Sequence, residues 1–269
     1  MSRKPPREFV APAQRFRIRY AKRGRLRFAS HRDFPRAFER ALRRAGVPMA
    51  YSAGFSPHPK ISYANAAPTG TASEAEYLEI AVAERCEADD LRRRIDQALP
   101  PGLDIVEIVE ARTPDFVQRL EGSRWRVELP GVEPEVARKA VDTLLATPDV
   151  VVERHTKNGM RRVEVLPAIV EIGVTGRIQV GGGAERDAPE GAAASDADAG
   201  GACAILLVVL RQGTPAVRPD DVLAALRSVA DLAPQVPPQV TRESQGPLAE
   251  GGNAGDITIG DPLAADREA

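Results

Sequence analysis

Basic and apolar residues alternate strictly from Arg15 to Tyr20. Successive side chains of a β-strand point to opposite faces, so the pattern predicts a strand with one apolar face and one arginine face. A turn is predicted at 21–24, and the alternation resumes from Arg25 to Phe28. We therefore predict a β-hairpin whose outer face carries five arginines: Arg15, Arg17, Arg19, Arg25 and Arg27. Like charges that face each other across strands are destabilising, which favours an anionic partner over this face.

A helix with a second basic face is predicted to follow the hairpin. Ser30 and Asp33 have the spacing of a capping box, and Pro35 is tolerated only in the first turn of a helix. Apolar residues recur at helical spacing from 34 to 45, and Gly46 is predicted to end the helix. The opposite side carries Arg36, Arg40, Arg43 and Arg44.

The segment 54–60, which reads G-F-S-P-H-P-K, is predicted to be a stiff loop. Pro57 and Pro59 fix backbone angles and remove two hydrogen-bond donors, and Gly54 allows a tight turn. The loop would then present His58 and Lys60 in a preset geometry. Lys157, in a basic turn, completes the predicted set of phosphate contacts. The alternative is an ordinary solvated basic surface.

Charge is distributed very unevenly along the chain. Residues 1–64 contain sixteen Lys or Arg and three Asp or Glu, a net charge of +13, whereas the whole chain has a net charge of −1. Such a basic region predicts RNA as a partner. Two Gly- and Ala-rich segments, 181–202 and 243–269, have net charges of −4 and −5 and are predicted to be disordered. They either screen the arginine face or only aid solubility.

Other classes of protein are disfavoured by composition. No apolar run approaches the length of a membrane helix, and the first residues lack the apolar core of a secretory signal, so a cytoplasmic location is predicted. The two cysteines, Cys86 and Cys203, form no C-x-x-C pair, which argues against a zinc ribbon or iron–sulfur site built by this chain alone. We predict no cofactor and assign no metal site.

Three residues are candidates for catalysis: His31, Asp33 and His58. The two histidines flank the basic helix, where an acid–base pair would act on RNA phosphates. The same three residues would alternatively bind a metal ion. In the third interpretation His31 caps the helix start and His58 hydrogen-bonds its own loop. No catalytic role is assigned, and binding is favoured over enzymatic activity.

The predicted elements describe an α+β fold. Residues 15–112 follow the order strand, helix, strand, strand, helix, strand, which is typical of a ferredoxin-like unit. A similar order over 123–242 predicts a second ferredoxin-like unit, interrupted by the acidic insert 181–202, and a diverged duplication would explain both. Residues 1–14 are predicted to be a flexible N-terminus and 243–269 a disordered acidic tail.

Several motifs resemble one protein family. They are S-H-x-D at 30–33, F-E-R-A-L-R-R-A-G-V-P at 38–48, Y-S-x-G-F-S-P-H-P-K-I-S at 51–62 and S-E-A-E-Y-L-E at 73–79, with later similarities at 153–159, 218–223 and 240–242. Over roughly 14–242 the chain resembles the radical SAM-linked protein family, a bacterial domain of unknown function found alone or fused behind radical SAM proteins. The acidic insert and tail depart from that pattern.

The resemblance implies a radical SAM partner and a link to RNA-processing and ribosomal proteins. The chain lacks the C-x-x-x-C-x-x-C cluster of radical SAM enzymes, so it would be their companion. Three hypotheses follow: a non-catalytic RNA-binding accessory module, an RNA-cleaving enzyme that uses His31 and His58, and an adaptor that docks an acidic protein.

Overall fold

A computed structural model of the chain describes residues 11–30, 33–53, 55–156, 159–176, 201–251 and 257–269. Its α+β class is as predicted. The strands are β1 (Gln14–Lys22), β2 (Ile61–Ala64), β3 (Ala72–Val82), β4 (Leu103–Glu110), β5 (Gly122–Pro130), β6 (Val151–Thr156), β7 (Gly159–Glu164), β8 (Ile169–Gly176), β9 (Cys203–Arg211), β10 (Gln239–Gly246), β11 (Leu248–Glu250) and β12 (Ile257–Ile259). The helices are α1 (Asp33–Arg44), α2 (Ala88–Ala98), α3 (Pro134–Ala146), α4 (Pro219–Ala230) and α5 (Ala264–Glu268). The predicted positions His31, Gly54 and Lys157, and most of the acidic insert, lie outside the described residues.

The chain divides into two compact units. Unit 1 consists of Met1–Glu121 together with Thr241–Ala269, and unit 2 consists of Gly122–Val240. The end of the chain therefore belongs to the unit that its beginning forms.

Unit 1 has the element order that the sequence predicts for residues 15–112, namely β1, α1, β2, β3, α2 and β4. Strand β1 is central and pairs antiparallel with both β3 and β4. Strand β2 pairs antiparallel with the later part of β3. Strand β10 runs parallel to the start of β3, where Thr241 and Arg242 are opposite Ala72 and Ser73. The sheet of unit 1 is therefore mixed.

The apolar face of β1 forms the core of unit 1, as its alternation predicts. Phe16, Ile18 and Tyr20 are at most 3% exposed and pack in one cluster with α1 and α2. Helix α1 contributes buried Phe34 and Phe38, and the Phe34 ring stacks on Tyr20 with 4.8 Å between ring centroids. The helix begins at the predicted capping segment and is followed by Gly46 at a φ of +62°, a left-handed conformation that favours glycine.

The prediction of a second hairpin strand at residues 25–28 is wrong. Residues Gly24–Phe28 form a 3-10 helix instead of a strand. The reason is topological, because β3 and β4 occupy both edges of β1 and leave no position for a hairpin partner. As a result Phe28 does not face the core and is 59% exposed, with the Arg27 guanidinium 4.8 Å from its ring centroid.

The predicted disorder of 243–269 is also wrong for the residues that the structure describes. Strand β10 continues to Gly246, β11 and β12 pair antiparallel, and α5 follows. A side chain at Gly246 would overlap the Gly260 carbonyl, so this segment folds back closely on itself. Leu263 is fully buried in a second cluster with Tyr77 and Phe116, on the face of the sheet that carries the β1 arginines. Both faces of the sheet in unit 1 are therefore covered.

Unit 2 contains an antiparallel sheet in the order β5, β9, β8, with α3 against β8 and against α4. Strands β6 and β7 form a separate hairpin. Arg154 on β6 donates to Asp221 at the start of α4, with Nη1 2.7 Å from Oδ2. Unit 2 contains the helices α3 and α4 among its strands, but the proposed duplication of a ferredoxin-like unit is not confirmed and stays a prediction.

Among the described residues, no helix combines the length and the apolar character that a membrane crossing needs. The longest helix in this part of the chain, α3, has 13 residues.

A buried ion pair connects β1 to α5. The Arg17 side chain is 4% exposed and the Asp266 side chain is fully buried, and the Arg17 guanidinium donates to the Asp266 carboxylate. Asp266 also accepts from the backbone N–H groups of Arg112 and Thr113, at 3.0 and 2.9 Å, and from the Thr113 hydroxyl at 2.6 Å. Arg119 Nη1 lies 3.2 Å from the same carboxylate. The carboxylate of Asp266 thus connects β1, the segment 112–119 and α5 on the arginine face of the sheet.

Changing Asp266 to Ala is expected to lower the free energy of unfolding by about 3–5 kcal/mol, because it leaves the Arg17 charge buried without a partner. Replacing Arg17 by Met in the same protein should recover part of that loss. Chemical denaturation measures both effects. The matched control is Glu268→Ala, an exposed carboxylate on α5, which should change stability by less than about 0.5 kcal/mol. Equal midpoints for Asp266→Ala and Glu268→Ala would contradict the role of the ion pair.

The pH dependence of stability should carry the signature of the same carboxylate. Burial alone would raise the pKa of Asp266, but hydrogen bonds from Thr113, Arg17 and the Arg112 backbone outweigh it and lower the pKa from 3.8 to about 2. A lowered pKa contributes stability that is present above the unfolded value and lost as the pH falls toward the folded value. Between about pH 4 and pH 2 the protein should therefore lose roughly 2 kcal/mol more than the Asp266→Asn variant. Parallel pH profiles would show that Asp266 is not the group responsible.

Candidate nucleic-acid interface

The arginines of β1 have partners within the protein, and two of the three pair with carboxylates. Arg15 Nη1 lies 2.8 Å from Glu79 Oε1, and Arg17 pairs with Glu79 as well as with Asp266. Arg19 Nε donates to the backbone carbonyl of Glu74 at 3.0 Å. The anionic partner that the sequence predicts over this face therefore consists, in large part, of the protein's own carboxylates. Arg17, which is 3% exposed, is excluded as a contact for RNA.

The sequence contains a signal for this neutralisation. The segment 73–79 reads S-E-A-E-Y-L-E, and β3 places Glu79 directly opposite Arg17 in the antiparallel register. Arg23, just beyond β1, binds Glu74 and has Nη1 2.9 Å from Asp104 on β4. Its hydrogen bond to Glu74 raises the pKa of Arg23. Acidic residues on two neighbouring strands thus compensate the basic strand between them.

The two remaining hairpin arginines do not extend the β1 face, because they lie in the 3-10 helix. Arg25 is exposed. Arg27 is half-buried over the Phe28 ring, and its Nε is a buried donor without a hydrogen-bond partner among the described residues. The predicted five-arginine sheet face is therefore not formed.

The arginines of α1 differ from those of β1, because they face solvent. Arg36, Arg40 and Arg43 are exposed, and within the described ranges no carboxylate lies within 4.0 Å of them. At 3.6 residues per turn the three fall within an arc of roughly 60° on the side away from the buried face of the helix. The predicted basic helix face is thus present as a continuous stripe.

The C-terminal ends of α1 and α2 are joined by arginines that satisfy helix carbonyls. Arg44 on α1 donates to the Ala98 carbonyl at the end of α2. Arg94 on α2 donates to the Ala45 carbonyl at 2.9 Å and to the Gly46 carbonyl at 2.8 Å. Cations near helix C-termini also interact favourably with the helix dipole. Arg44 therefore has a structural role beside any contact with a ligand.

The loop that contains Pro57 and Pro59 is closed by its own backbone. The Ser52 N–H donates to the His58 carbonyl at 2.8 Å, and the His58 N–H donates to Ser52 Oγ at 3.0 Å. Tyr51 and Pro59 form an isolated bridge, and the Lys60 N–H donates to the Ala50 carbonyl at 2.9 Å. These contacts leave the His58 side chain exposed and Lys60 half-buried. At the loop, Phe55 is 74% exposed.

The candidate catalytic residues are not shown to form one site. Asp33 is engaged locally, since Ser30 Oγ donates to Asp33 Oδ2 at 2.7 Å and accepts from the Asp33 N–H at 3.2 Å. His31 lies outside the described residues, so an acid–base pair of His31 and His58 stays a prediction. In the described part of the chain no group of three His, Cys, Asp or Glu residues is placed to hold a metal ion.

A buried charged cluster that sequence reasoning missed lies near the start of β3. Arg242 on β10 forms an ion pair with Glu76, and both side chains are at most 3% exposed. Arg242 Nη1 also donates to the Asn65 carbonyl at 2.7 Å, and Glu76 Oε2 accepts from the Ala67 N–H at 3.0 Å. Burial acts to raise the pKa of Glu76, but the charge of Arg242 and the hydrogen bonds with Ser73 and the Ala67 N–H lower it overall. The cluster unites two of the sequence motifs, 73–79 and 240–242, that are far apart along the chain.

Comparison with known proteins identifies a family but no activity. A family model described as "Uncharacterized protein conserved in bacteria (DUF2344)" matches residues 15–219. No curated protein matches the chain. The matched region includes β1, α1, the proline loop and β3, and it covers more than half of the chain. The chain therefore belongs to the family of uncharacterized bacterial conserved proteins that this model describes.

Proposed function

We propose that this protein is a non-catalytic RNA-binding accessory module that contacts phosphates through α1. The observation that carries the proposal is the exposed stripe of Arg36, Arg40 and Arg43, which has no carboxylate neighbour within ion-pair distance in the described ranges. Arg44 lies at the end of the stripe. Clustered, solvated guanidinium groups bind phosphate oxygens and release condensed counterions, which gives affinity without sequence specificity.

The interface of this proposal is smaller than the one that the sequence predicts. Ion pairs with Glu79 and Asp266 remove Arg17 and reduce the contribution of Arg15. Arg25, His58 and Lys60 remain as candidate contacts outside α1, because they are exposed or half-buried. The affinity should therefore come mainly from the helix.

Exposed aromatic side chains in unit 1 support RNA over other polyanions. Phe28 is 59% exposed and Phe55 is 74% exposed. Unpaired bases stack on such side chains, which is a common mode of single-stranded RNA recognition. A polyanion without bases, such as heparin, would gain nothing from them.

A radical SAM protein is the partner class that we propose, and it rests on the sequence motifs alone. The motifs at 51–62 and 73–79 support it through their resemblance to radical SAM-linked proteins. RNA-processing or ribosomal factors are the alternative partners in the same accessory role. Affinity purification from a native host, followed by mass spectrometry, tests this part of the proposal separately from RNA binding.

Changing Arg36, Arg40 and Arg43 together to Gln should weaken binding of a fluorescein-labelled single-stranded RNA and flatten its salt dependence. Three phosphate contacts to a single strand predict a slope of log K against log salt near −2. A fourfold rise in salt would then cost the natural protein roughly 20-fold in affinity, and the variant far less. Fluorescence anisotropy at several salt concentrations measures both quantities.

The matched control removes the same number of exposed charges from unit 2, with Arg138, Arg211 and Arg227 changed to Gln. This variant should bind RNA as the natural protein does. An RNA affinity that does not depend on the salt concentration, or an equal loss of RNA affinity in the two variants, would overturn the proposal. Capture of an acidic protein through α1 without any RNA affinity would favour the adaptor hypothesis instead.

A further inference from the structure

A cavity of about 110 Å³ lies beside the charged cluster of unit 1, between β1, α1 and the segment 63–67. Its walls are mostly apolar: Tyr20, Phe34, Pro35, Tyr63, Ala66 and Ala67. Tyr63 is 36% exposed and Ala66 is exposed, so the cavity opens to solvent at this side. The volume is well below the roughly 300 Å³ of a site for a drug-sized ligand, so it fits a small metabolite-sized molecule.

Lys22 is the basic residue in the wall of this cavity, and its amine has no ion-pair partner among the described residues. It is only 6% exposed. Its Nζ has long contacts of 3.5 and 3.4 Å with the carbonyl oxygens of Ala67 and Pro68. Burial lowers the pKa of Lys22 because the protonated amine is poorly solvated there. An ammonium group in such a place is stabilised by an anion.

The carboxylate in the cavity wall, Glu76, attracts the Lys22 amine at longer range but forms no ion pair with it. Glu76 is held by Arg242 and by the Ala67 N–H on its other oxygen. The buried group of Lys22, Arg242 and Glu76 therefore contains two cationic side chains and one carboxylate. A single negative charge from a ligand would balance it.

Tyr20 provides a second polar group in the cavity. It is 3% exposed, and its hydroxyl makes no hydrogen bond with any residue that the structure describes. The hydroxyl is not among the fully buried atoms that lack a partner, so it is accessible in the cavity and can donate to a bound acceptor there in place of water. Burial also raises the pKa of Tyr20, so the hydroxyl stays protonated and able to donate.

From these observations we infer that the cavity binds a small organic carboxylate, with its oxygens at the Lys22 amine and the Tyr20 hydroxyl and its apolar body against Phe34 and Tyr63. The apolar walls favour a carboxylate with a hydrocarbon or aromatic body over inorganic phosphate, which would leave several oxygens without donors. This site is separate from the α1 arginine stripe and does not depend on RNA binding.

The inference is tested with two matched probes, 4-fluorobenzoate and its neutral counterpart 4-fluorobenzamide, by fluorine NMR on the full chain. The acid should bind the natural protein at least about tenfold more tightly than the amide, because the charge-assisted hydrogen bond is lost in the amide. Lys22→Met should reduce binding of the acid about tenfold or more and leave the amide unchanged, and Tyr20→Phe should reduce binding of the acid severalfold.

The control variant is Lys139→Met, at an exposed position on α3, and it should not alter binding of either probe. If Lys22→Met does not fold, the comparison of acid with amide on the natural protein, together with Tyr20→Phe, decides the question. Equal binding of acid and amide would overturn the inference. So would displacement of the acid by inorganic phosphate at a lower concentration, or no binding of the acid at millimolar concentrations.

Discussion

A guanidinium group that is buried on one face of a central strand has to be compensated inside the protein. Arg17 occupies this position on β1, and its compensation determines the layer that covers the second face of the sheet. Asp266 accepts from Arg17, from Arg119 and from the backbone of 112–113, so one carboxylate fixes helix α5 and the segment before β5 together. The apolar contacts of Phe116 and Leu263 then exclude water from the pair. Without this compensation the arginine face of β1 would have to stay open to solvent.

The arginines of unit 1 are therefore found in two different environments. On the sheet, arginines lie beside acidic residues of β3 and β4, and Arg17 is buried. On α1, arginines point away from the core, and the described structure places no carboxylate against them. Charge that is already paired contributes little to an external ligand, because binding would first have to break the internal pairs. The distinction between these two sets, rather than the total charge, indicates where an anion can bind.

Features encoded by local periodicity could be predicted from the sequence. The alternation around Phe16 and Ile18 gave the buried face of β1, and Gly46 marked the end of α1, because both depend on neighbouring residues. The hairpin prediction was wrong because β1 pairs with strands that are distant in the sequence. Arg15, for example, forms its ion pair with Glu79, 64 residues further along the chain. The prediction of a disordered tail was wrong because it rested on the average Gly- and Ala-rich composition of the segment. Single residues such as Leu263 hold the segment in place by their burial. The cavity beside Lys22 and the pair of Glu76 with Arg242 likewise required three-dimensional proximity.

The separation of Arg17 from Asp266 has a consequence for synthesis on the ribosome. The two residues are 249 positions apart, and in the sequence unit 2 lies between the two segments that form unit 1. Unit 2 is continuous in the chain and can fold as it emerges, whereas the layer on the arginine face of unit 1 cannot form until α5 has left the exit tunnel. Throughout that interval the nascent chain exposes Arg17 without its Asp266 partner, together with the apolar surface around Phe116. Contacts of such long range fold slowly, so the newly made protein passes through a stage that is open to chaperones and proteases.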